Sequence, residues 1–335
     1  MFESIVSIFR PPQLDIRVAM LGPRRAGKTS VLTAMYERFE NSLLVERVFD
    51  NIHLSAAPST ADVLQANYRE LIRVIQAGEP IAQAITGDAE AKTYQFELRR
   101  TSTDAEPQIR LSFQDYPGGW LMAGQRDPSD PGYRKVLDFV REAQILLVAV
   151  DTPYLMEDGG RWHEARNLPG HILRTIREAW PASDPRPRYV LLVPIKCEKY
   201  DNDDRAGLVE ATRKGYADLI AYLATLPHCG VFCTPAQTTG CVRFSRFLPL
   251  EPGDTLPAPE FIVPPDSGYA PFDCAQALRY CLFYAVNYYC RENSRGIPGK
   301  IRTIFKLDRR FVEAARKLAA GCHGTTFVSM KKETR

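Results

Sequence analysis

The chain has 335 residues, of which 45% are hydrophobic and 25% charged, and its net charge at pH 7 is +3. This composition is ordinary for a globular protein, and so small a charge does not predict binding to nucleic acid or to an anionic membrane. The longest apolar runs, at 145–150 and 189–193, are far shorter than the roughly 20 residues that span a bilayer, so we expect no membrane segment.

The N-terminal residues and the cysteines favour the cytoplasm. Glu3 lies in a start that lacks the basic residues and long apolar stretch of a signal peptide. The eight cysteines have no paired C-x-x-C spacing, which is typical of reduced thiols. A metal site is a weaker interpretation, because Cys233 lies on an apolar stretch and the spacing fits no usual zinc pattern. Its ligands would be His228, Cys229, Cys233 and Cys241.

The first predicted strand leads into a complete phosphate-binding motif. Residues 17–21 predict a strand and 28–39 a helix, and the pattern G-x-x-x-x-G-K-[ST] joins them in the context that it requires. Its glycines let consecutive N–H groups point at an anion, and the positive end of the helix dipole adds to this nest. We therefore expect a nucleotide ligand. The expected contacts are Gly22, Arg25, Ala26, Gly27, Lys28, Thr29 and Ser30.

Four side chains of this loop have expected roles in catalysis or metal binding. Lys28 is expected to reach the β- and γ-phosphates, and the Thr29 hydroxyl to bind Mg²⁺, which prefers oxygen ligands. Arg24 and Arg25 lie inside the loop, where one of them could approach the γ-phosphate as an internal arginine finger. Equally, both arginines could face solvent or a partner.

A helix and then two strands of a different kind follow. Apolar residues at helical spacing predict a helix capped at Ser59 or Thr60, which we interpret as an insertion at about 50–80. Residues 94–98 and 109–113 alternate apolar and polar side chains, so each strand has one solvated face. A polar connection joins them, which predicts an antiparallel hairpin at the edge of the sheet.

The remaining elements alternate between strands and helices. Continuous apolar runs predict buried parallel strands at 145–150, 189–193 and 230–233, with helices at 133–143, 169–180, 205–226 and 273–290. The fold class is therefore α/β, a mostly parallel doubly wound sheet with helices on both faces.

The chain is divided into an extension, one main domain and a tail. We place the extension at 1–14, the domain at 15–292 and a basic tail at 293–335. Within the domain, the Pro-rich stretch 249–271 predicts an extended surface loop. The tail carries a short predicted helix near 310–320, and we expect it to be solvated; docking to a partner or to phosphate is the alternative.

One strand of the predicted hairpin ends at Asp115-Tyr-Pro-Gly118. Asp115 can hold Mg²⁺ through water, and the Gly118 N–H can bind a γ-phosphate, whose loss would move the segment that follows. Residues 119–132 carry the glycines of a mobile loop. A threonine before the hairpin could give Mg²⁺ a second hydroxyl. Thr93 is the better placed and Thr86 is its rival, with an ordinary loop threonine as the alternative.

The segment 195–198 follows a buried strand and carries a lysine and a carboxylate. Glu198 could accept two hydrogen bonds from N1 and N2 of guanine, a pattern that adenine does not offer, while the stem of Lys196 lies across the ring. Surface charge at a strand end is the alternative. Thr238, in the loop after the last predicted parallel strand, is a further candidate for contact with the base.

Taken together, these residues resemble the TRAFAC-clade P-loop GTPases, and more narrowly the bacterial double-GTPase-like proteins found beside conflict or defence genes. The motifs are 22–29, 115–118, 195–198 in the place of Asn-Lys-x-Asp, and 234–240 in the place of the last base-contacting loop. The resemblance implies a cytoplasmic, Mg²⁺-dependent GTPase that binds GTP and GDP and presents its switch loops to a protein partner.

Three positions depart from the pattern of that clade. Ile195 replaces the asparagine and Glu198 the aspartate, which weakens the prediction of guanine. Gly119 stands where Ras-like enzymes have the glutamine that orients water, so we expect hydrolysis to be slow or to need another group. The alternatives are an ATP-binding phosphoryl-transfer enzyme with the same loop, or a nucleotide-binding scaffold with little turnover.

Overall fold

The structure is a computed structural model that describes residues 13–40, 53–77, 90–99, 106–293 and 309–330. In chain order its strands are β1 (Leu14–Leu21), β2 (His53–Ala56), β3 (Lys92–Arg99), β4 (Ile109–Asp115), β5 (Ile145–Asp151), β6 (Arg188–Ile195), β7 (Cys229–Cys233), β8 (Arg243–Phe247), β9 (Pro259–Ile262) and β10 (Thr325–Val328). Eight strands form the main sheet, in the order β10-β7-β6-β5-β1-β4-β3-β2, and β8 pairs with β9.

The helices lie on both sides of this sheet. They are α1 (Lys28–Glu40), α2 (Pro58–Ala77), α3 (Gly118–Arg126), α4 (Pro131–Glu142), α5 (Thr152–Met156), α6 (His163–Asn167), α7 (Pro169–Ala179), α8 (Glu198–Gly215), α9 (Ala217–Thr225), α10 (Ala275–Asn293) and α11 (Arg309–Gly321). Each helix in the described ranges is too short or too polar to cross a bilayer.

The centre of the sheet is parallel and buried on both faces. The five strands β4, β1, β5, β6 and β7 run parallel to one another. Every residue of β5 and β6 is buried, which explains the continuous apolar runs in the sequence. One face packs against α1 and α10, the other against α4, α7 and α9. The predicted fold class is confirmed, and the carboxyl ends of these strands meet at one edge, where α/β proteins bind ligands.

The predicted hairpin is confirmed, and the sheet extends one strand beyond it. In the antiparallel pair β3 and β4, Phe96 lies opposite Leu111 and Leu98 opposite Ile109. On the far side of β3 lies β2, also antiparallel, within the region interpreted as a helical insertion. The alternation of side chains in β3 reports on its two faces; it carries no signal about a backbone partner at its outer edge.

The described part of the basic C-terminal segment belongs to the folded core. Thr325 of β10 lies opposite Cys233 of β7, and α11 buries Ala314 and Leu318 in the same core as α10. The predicted helix near 310–320 is therefore present, but the expectation of a solvated tail is wrong for 309–330. The segment has only a few buried apolar residues among many basic ones, so its composition favoured a solvated tail.

Residues 119–132, expected to form a mobile loop, fold into α3 and the start of α4 instead. Two of the glycines that suggested mobility are packing positions. A Cβ at Gly124 would lie 2.2 Å from the ring of Tyr133, and one at Gly132 would lie 2.6 Å from the ring of Trp120. These glycines allow two neighbouring helices to approach closely, a role that the sequence does not distinguish from loop flexibility.

Two further elements differ from their predictions. The Pro-rich stretch 249–271 contains β9, whose Phe261 lies opposite Phe244 of β8. The helix predicted at 205–226 is two helices, α8 and α9, separated by the buried Tyr216 with φ −116° and ψ 23°. The two helices also pack differently, because Leu208 of α8 lies in a small cluster with Phe244, whereas Leu219 of α9 lies in the core on one face of the sheet.

Candidate functional site

The loop between β1 and α1 has the backbone shape of an anion nest. The φ angles of Gly22, Arg25 and Gly27 are 149°, 59° and 107°, a region that favours glycine. A Cβ at Gly22 would lie 3.1 Å from the Ala149 carbonyl oxygen, and one at Gly27 would lie 3.1 Å from Ile195 Cδ1. The glycines are required because the loop lies directly on the ends of β5 and β6.

Lys28 and Thr29 begin α1 and meet the carboxylate at the end of β4. Lys28 is 7% exposed, and its Nζ lies 3.4 Å from the Gly22 carbonyl oxygen and 3.8 Å from Asp115 Oδ1. Thr29 Oγ1 donates to Asp115 Oδ2 at 2.8 Å. Burial lowers the pKa of Lys28; Asp115 offsets part of this shift, and Arg166 adds to it.

This group of side chains fits phosphate and Mg²⁺. Both contacts of the Lys28 ammonium are longer than the roughly 2.7–2.9 Å of a charge-assisted hydrogen bond, so a buried cation here suits a closer anionic partner. The hydroxyl of Thr29 and the carboxylate of Asp115 are the oxygen donors that Mg²⁺ prefers. Ala26 is fully buried beneath the loop, and Ser30 is partly exposed in the first turn of α1.

Gly118 packs against the phosphate loop at the start of α3. A Cβ there would lie 2.2 Å from the backbone nitrogen of Arg24, so glycine alone fits. At Gly119, by contrast, no described atom lies within 4 Å of the Cβ position. The side chains of Arg24 and Arg25 are exposed, and neither forms a hydrogen bond or an ion pair with the described part of the chain.

The structure does not bring Thr93 to Asp115. In the register of β3 and β4, Thr93 lies opposite Gln114, whereas Lys92 lies opposite Asp115. Because successive side chains of a strand point to opposite faces, Thr93 and Asp115 lie on different faces of the sheet. Its rival, Thr86, lies outside the described residues.

Lys196 connects the end of β6 to the phosphate loop. Its φ angle is 54°, and its Nζ donates to the Arg25 carbonyl oxygen at 3.0 Å and to Asp151 Oδ2 at 2.9 Å. Burial lowers the pKa of Lys196, and the nearby Asp151 offsets part of this shift. The ammonium is therefore fixed between the phosphate loop and the end of β5, and 23% of the side chain is exposed.

Sequence reasoning missed the carboxylate that holds this lysine. Asp151 is fully buried, and its Oδ2 also accepts hydrogen bonds from Arg166 Nε at 3.1 Å and Nη2 at 2.9 Å. The side chain of Asn167 fixes its backbone, accepting from the Asp151 N–H at 2.8 Å. The sequence held a signal for Asp151, namely an acidic residue directly after a continuous apolar strand.

Glu198 is the buried carboxylate at the start of α8. It is 2% exposed, and its Oε1 accepts hydrogen bonds from the Thr239 N–H at 3.2 Å, the Thr239 hydroxyl at 2.9 Å and the Gly240 N–H at 3.3 Å. Burial raises the pKa of Glu198, and these hydrogen bonds offset part of the shift. Thr238 is buried beside them, but Thr239 is the residue that holds the carboxylate.

An aromatic side chain of β9 lies next to Lys196. The ring centroid of Phe261 is 5.8 Å from Lys196 Nζ. The half-buried ring also packs against two small apolar clusters, one containing Cys197 and the other Cys241 and Val242. The Pro-rich stretch thus places an aromatic surface beside the residues expected to bind a base.

The cysteines do not form a metal site in the described ranges. No group of three or more His, Cys, Asp or Glu side chains there is placed to hold a metal ion. Cys229 and Cys233 on β7 are buried free thiols, and burial raises the pKa of each to about 12. The weaker interpretation of a zinc site is therefore unsupported.

The match to a family decides the class of this protein. The family model described as Double-GTPase 2 matches residues 16–222, more than half of the chain, and this range includes the phosphate loop, Asp115, Gly118 and Glu198. The chain belongs to the Double-GTPase 2 family. It is a P-loop protein of the GTPase type.

Two similar solved structures are of the GTPase-like domain of S. cerevisiae Ski7. The one bound to GTP is 13% identical with a TM-score of 0.39, and the one bound to GDP and inorganic phosphate is 12% identical with a TM-score of 0.40. Each alignment covers 70% of this chain and 45% of that chain, so this chain spans less than half the length of these structures. A search of curated protein sequences found no match.

Proposed function

We propose that this Double-GTPase 2 family member binds GTP and GDP with Mg²⁺, hydrolyses GTP slowly, and acts as a switch that a protein partner recognises. The observation that carries the proposal is the link between two sites. Lys196 bonds to the phosphate loop at Arg25, and two residues later Glu198 offers a buried carboxylate. One ligand with phosphates at one end and hydrogen-bond donors at the other would contact both.

The phosphate end would be held by the backbone N–H groups of residues 25–30 and by the Lys28 ammonium. Thr29 and Asp115 would hold Mg²⁺, which spreads negative charge away from the phosphates when it is bound. Thr93 is left out of this metal site, because its strand register places it on the other face of the sheet from Asp115.

The base end supports guanine over adenine. Oε1 of Glu198 is occupied by Thr239 and Gly240, and Oε2 takes part in none of these bonds. A buried acceptor that meets N–H donors of guanine would be left unpaired by adenine, which is how such sites discriminate. Thr238 and the stem of Lys196 would contact the same base.

Slow hydrolysis is proposed because Gly119 brings no side chain to orient water. Arg24 or Arg25, both exposed at the phosphate loop, would supply positive charge to the γ-phosphate. A γ-phosphate bound by the Gly118 N–H would act on α3, which begins at that residue, and a partner would recognise the resulting change. The open space at Gly119 also favours a second candidate, a nucleotide-binding scaffold with little turnover.

Location and biological context complete the proposal. All eight cysteines are free thiols, which supports a reducing compartment such as the cytoplasm. A role in a bacterial conflict or defence system is supported by the resemblance of the motifs to double-GTPase-like proteins found beside such genes.

Thermal unfolding with different nucleotides tests this function. GTP and GDP with Mg²⁺ should raise the midpoint of unfolding by several degrees at saturation, and ATP should raise it less. In Lys28→Ala, the responses to GTP and GDP should be abolished. An equal or larger response to ATP would replace the guanine claim by the ATP-binding alternative. Release of inorganic phosphate, measured alongside, should be slow; its absence at all times would favour the scaffold.

A further inference from the structure

Asp151 and Arg166 form a partly buried ion pair outside the motifs proposed to contact nucleotide. Asp151 ends β5 with no exposed surface, and Arg166 of α6 donates two hydrogen bonds to its Oδ2. Lys196 donates to the same oxygen at 2.9 Å. Two donors of Arg166 and one of Lys196 thus converge on one oxygen. Of these two side chains, only Lys196 also bonds to the phosphate loop, at the Arg25 carbonyl oxygen.

The backbone is strained at both residues joined by the hydrogen bond between Lys196 and Arg25. Arg25 and Lys196 both have left-handed φ angles, 59° and 54°, although neither is glycine. Such residues keep this conformation only where surrounding contacts hold them. The hydrogen bond from Lys196 Nζ to the Arg25 carbonyl oxygen joins the two strained residues, and Asp151 holds the donor in place.

We propose that Asp151 is a positioning residue for the nucleotide: its carboxylate, oriented by Arg166, holds the Lys196 ammonium against the Arg25 carbonyl, so that the phosphate loop and the base motif keep one relative arrangement. This inference rests on the proposed function. The Asp151 carboxylate, which lies outside the recognised motifs, would thus contribute to nucleotide affinity without contacting the nucleotide.

Folding stability alone gives little reason for this carboxylate. Asp151 Oδ1 is buried and has no hydrogen-bond partner among the residues that the structure describes. Leaving a buried polar atom unpaired is unfavourable, and buried ion pairs are often no better for stability than apolar replacements. A group that is costly to bury but fixes a ligand-contacting lysine is typical of a functional site.

The charges around Lys196 make the proposal sensitive to pH. Burial lowers the pKa of Lys196, Asp151 and Glu198 act to raise it, and Arg166 acts to lower it. Replacing Asp151 by asparagine removes the main group that keeps Lys196 protonated and leaves Arg166 repelling it. The lysine should then lose its proton, and its hold on Arg25, at a lower pH than in the wild type.

The test measures affinity for a fluorescent GDP analogue in a double-mutant cycle. Asp151→Asn should raise the Kd by about tenfold, through faster dissociation, whereas in a Lys196→Met background it should have no further effect. The matched control is Glu157→Gln, which removes a carboxylate that accepts hydrogen bonds from Lys199 and Tyr200. This change should alter the Kd by less than about twofold.

Two more readouts separate positioning from a loss of folding. Nucleotide-free Asp151→Asn should keep the single cooperative unfolding transition of the wild type, although loss of a carboxylate that pairs with two cations lowers its midpoint. Its affinity, expressed relative to the wild type at the same pH, should recover as the pH is lowered. Effects of Asp151→Asn and Lys196→Met that simply add, or a loss that does not depend on pH, would overturn the inference. If the wild type does not bind the analogue, the proposed function fails; if the wild type and all variants bind equally, only this inference fails.

Discussion

The phosphate side and the base side of the candidate site are built in different ways. On the phosphate side, one continuous loop and Asp115 would supply the contacts, and Gly22 and Gly27 of this loop have positive φ angles and lie against the ends of β5 and β6. On the base side, Lys196 and Glu198 are held by residues from distant segments, Asp151 and Thr239. A nest made of backbone tolerates changes around it, whereas a site made of tertiary hydrogen bonds depends on each partner.

Removing the cation of the phosphate side should have the largest effect. Lys28→Ala should weaken GTP, GDP and ATP alike by at least about 100-fold, because a buried ammonium bound to phosphate makes charge-assisted hydrogen bonds. Equilibrium titration with fluorescent nucleotides measures the loss. Lys135→Ala, at an exposed lysine beside Trp120, is the control and should leave binding unchanged. A loss confined to guanine nucleotides would contradict the role of Lys28 in binding phosphate.

Changing the carboxylate of the base side should alter selectivity more than affinity for phosphate. Glu198→Gln should reduce the preference for GTP over ATP by about tenfold or more, because a buried acceptor carboxylate becomes an amide. In the wild type, burial raises the pKa of Glu198, so lowering the pH protonates it sooner than an ordinary glutamate. The Kd for ATP divided by the Kd for GTP should therefore fall as the pH is lowered from neutral in the wild type and stay flat in the variant. A ratio that does not depend on pH in either protein would contradict this role.

Two adjacent glycines at the start of α3 differ in how closely they pack. Gly118→Ala should raise the Kd for GTP by about tenfold and destabilise the fold by about 1–3 kcal/mol, since its Cβ would lie 2.2 Å from the backbone of Arg24. Gly119→Ala, with open space at its Cβ, should bind normally and be more stable by up to about 1 kcal/mol, because alanine favours a helix. Nucleotide titration and chemical unfolding measure both effects. Similar behaviour of the two variants would show that close packing at Gly118 is unimportant.

The smallest effect is expected at the aromatic side chain of β9. Phe261→Ala should weaken GTP and ATP equally, by about three- to tenfold, because an aromatic face contacts any base without reading its edge. Phe247→Ala, in the strand that pairs with β9, is the matched control, since Phe247 packs on Tyr154 and Phe244 instead of near Lys196. The same titrations measure both variants. Unequal losses for GTP and ATP, or equal losses for Phe247→Ala, would remove Phe261 from the base side.

The same contrast explains how much could be predicted from the sequence. The parallel core, the β3–β4 hairpin and the phosphate loop follow from local patterns, because side-chain periodicity and fixed glycine spacing are properties of short segments. The placing of Asp151 beside Lys196, and of Thr239 beside Glu198, depends on the order of strands in the sheet. The strand β2 and the close packing at Gly124 were missed because a backbone partner and a small contact leave no periodic signal.

The central claim is that the buried Glu198 end of the site selects guanine while the phosphate loop binds any nucleotide. Calorimetric titration of the wild-type protein with GDP and with ADP, both with Mg²⁺, tests it most directly. We expect GDP to bind at least about 100-fold more tightly than ADP, with both losing affinity together in Lys28→Ala. Equal binding of the two nucleotides, or tighter binding of ADP, would contradict the claim.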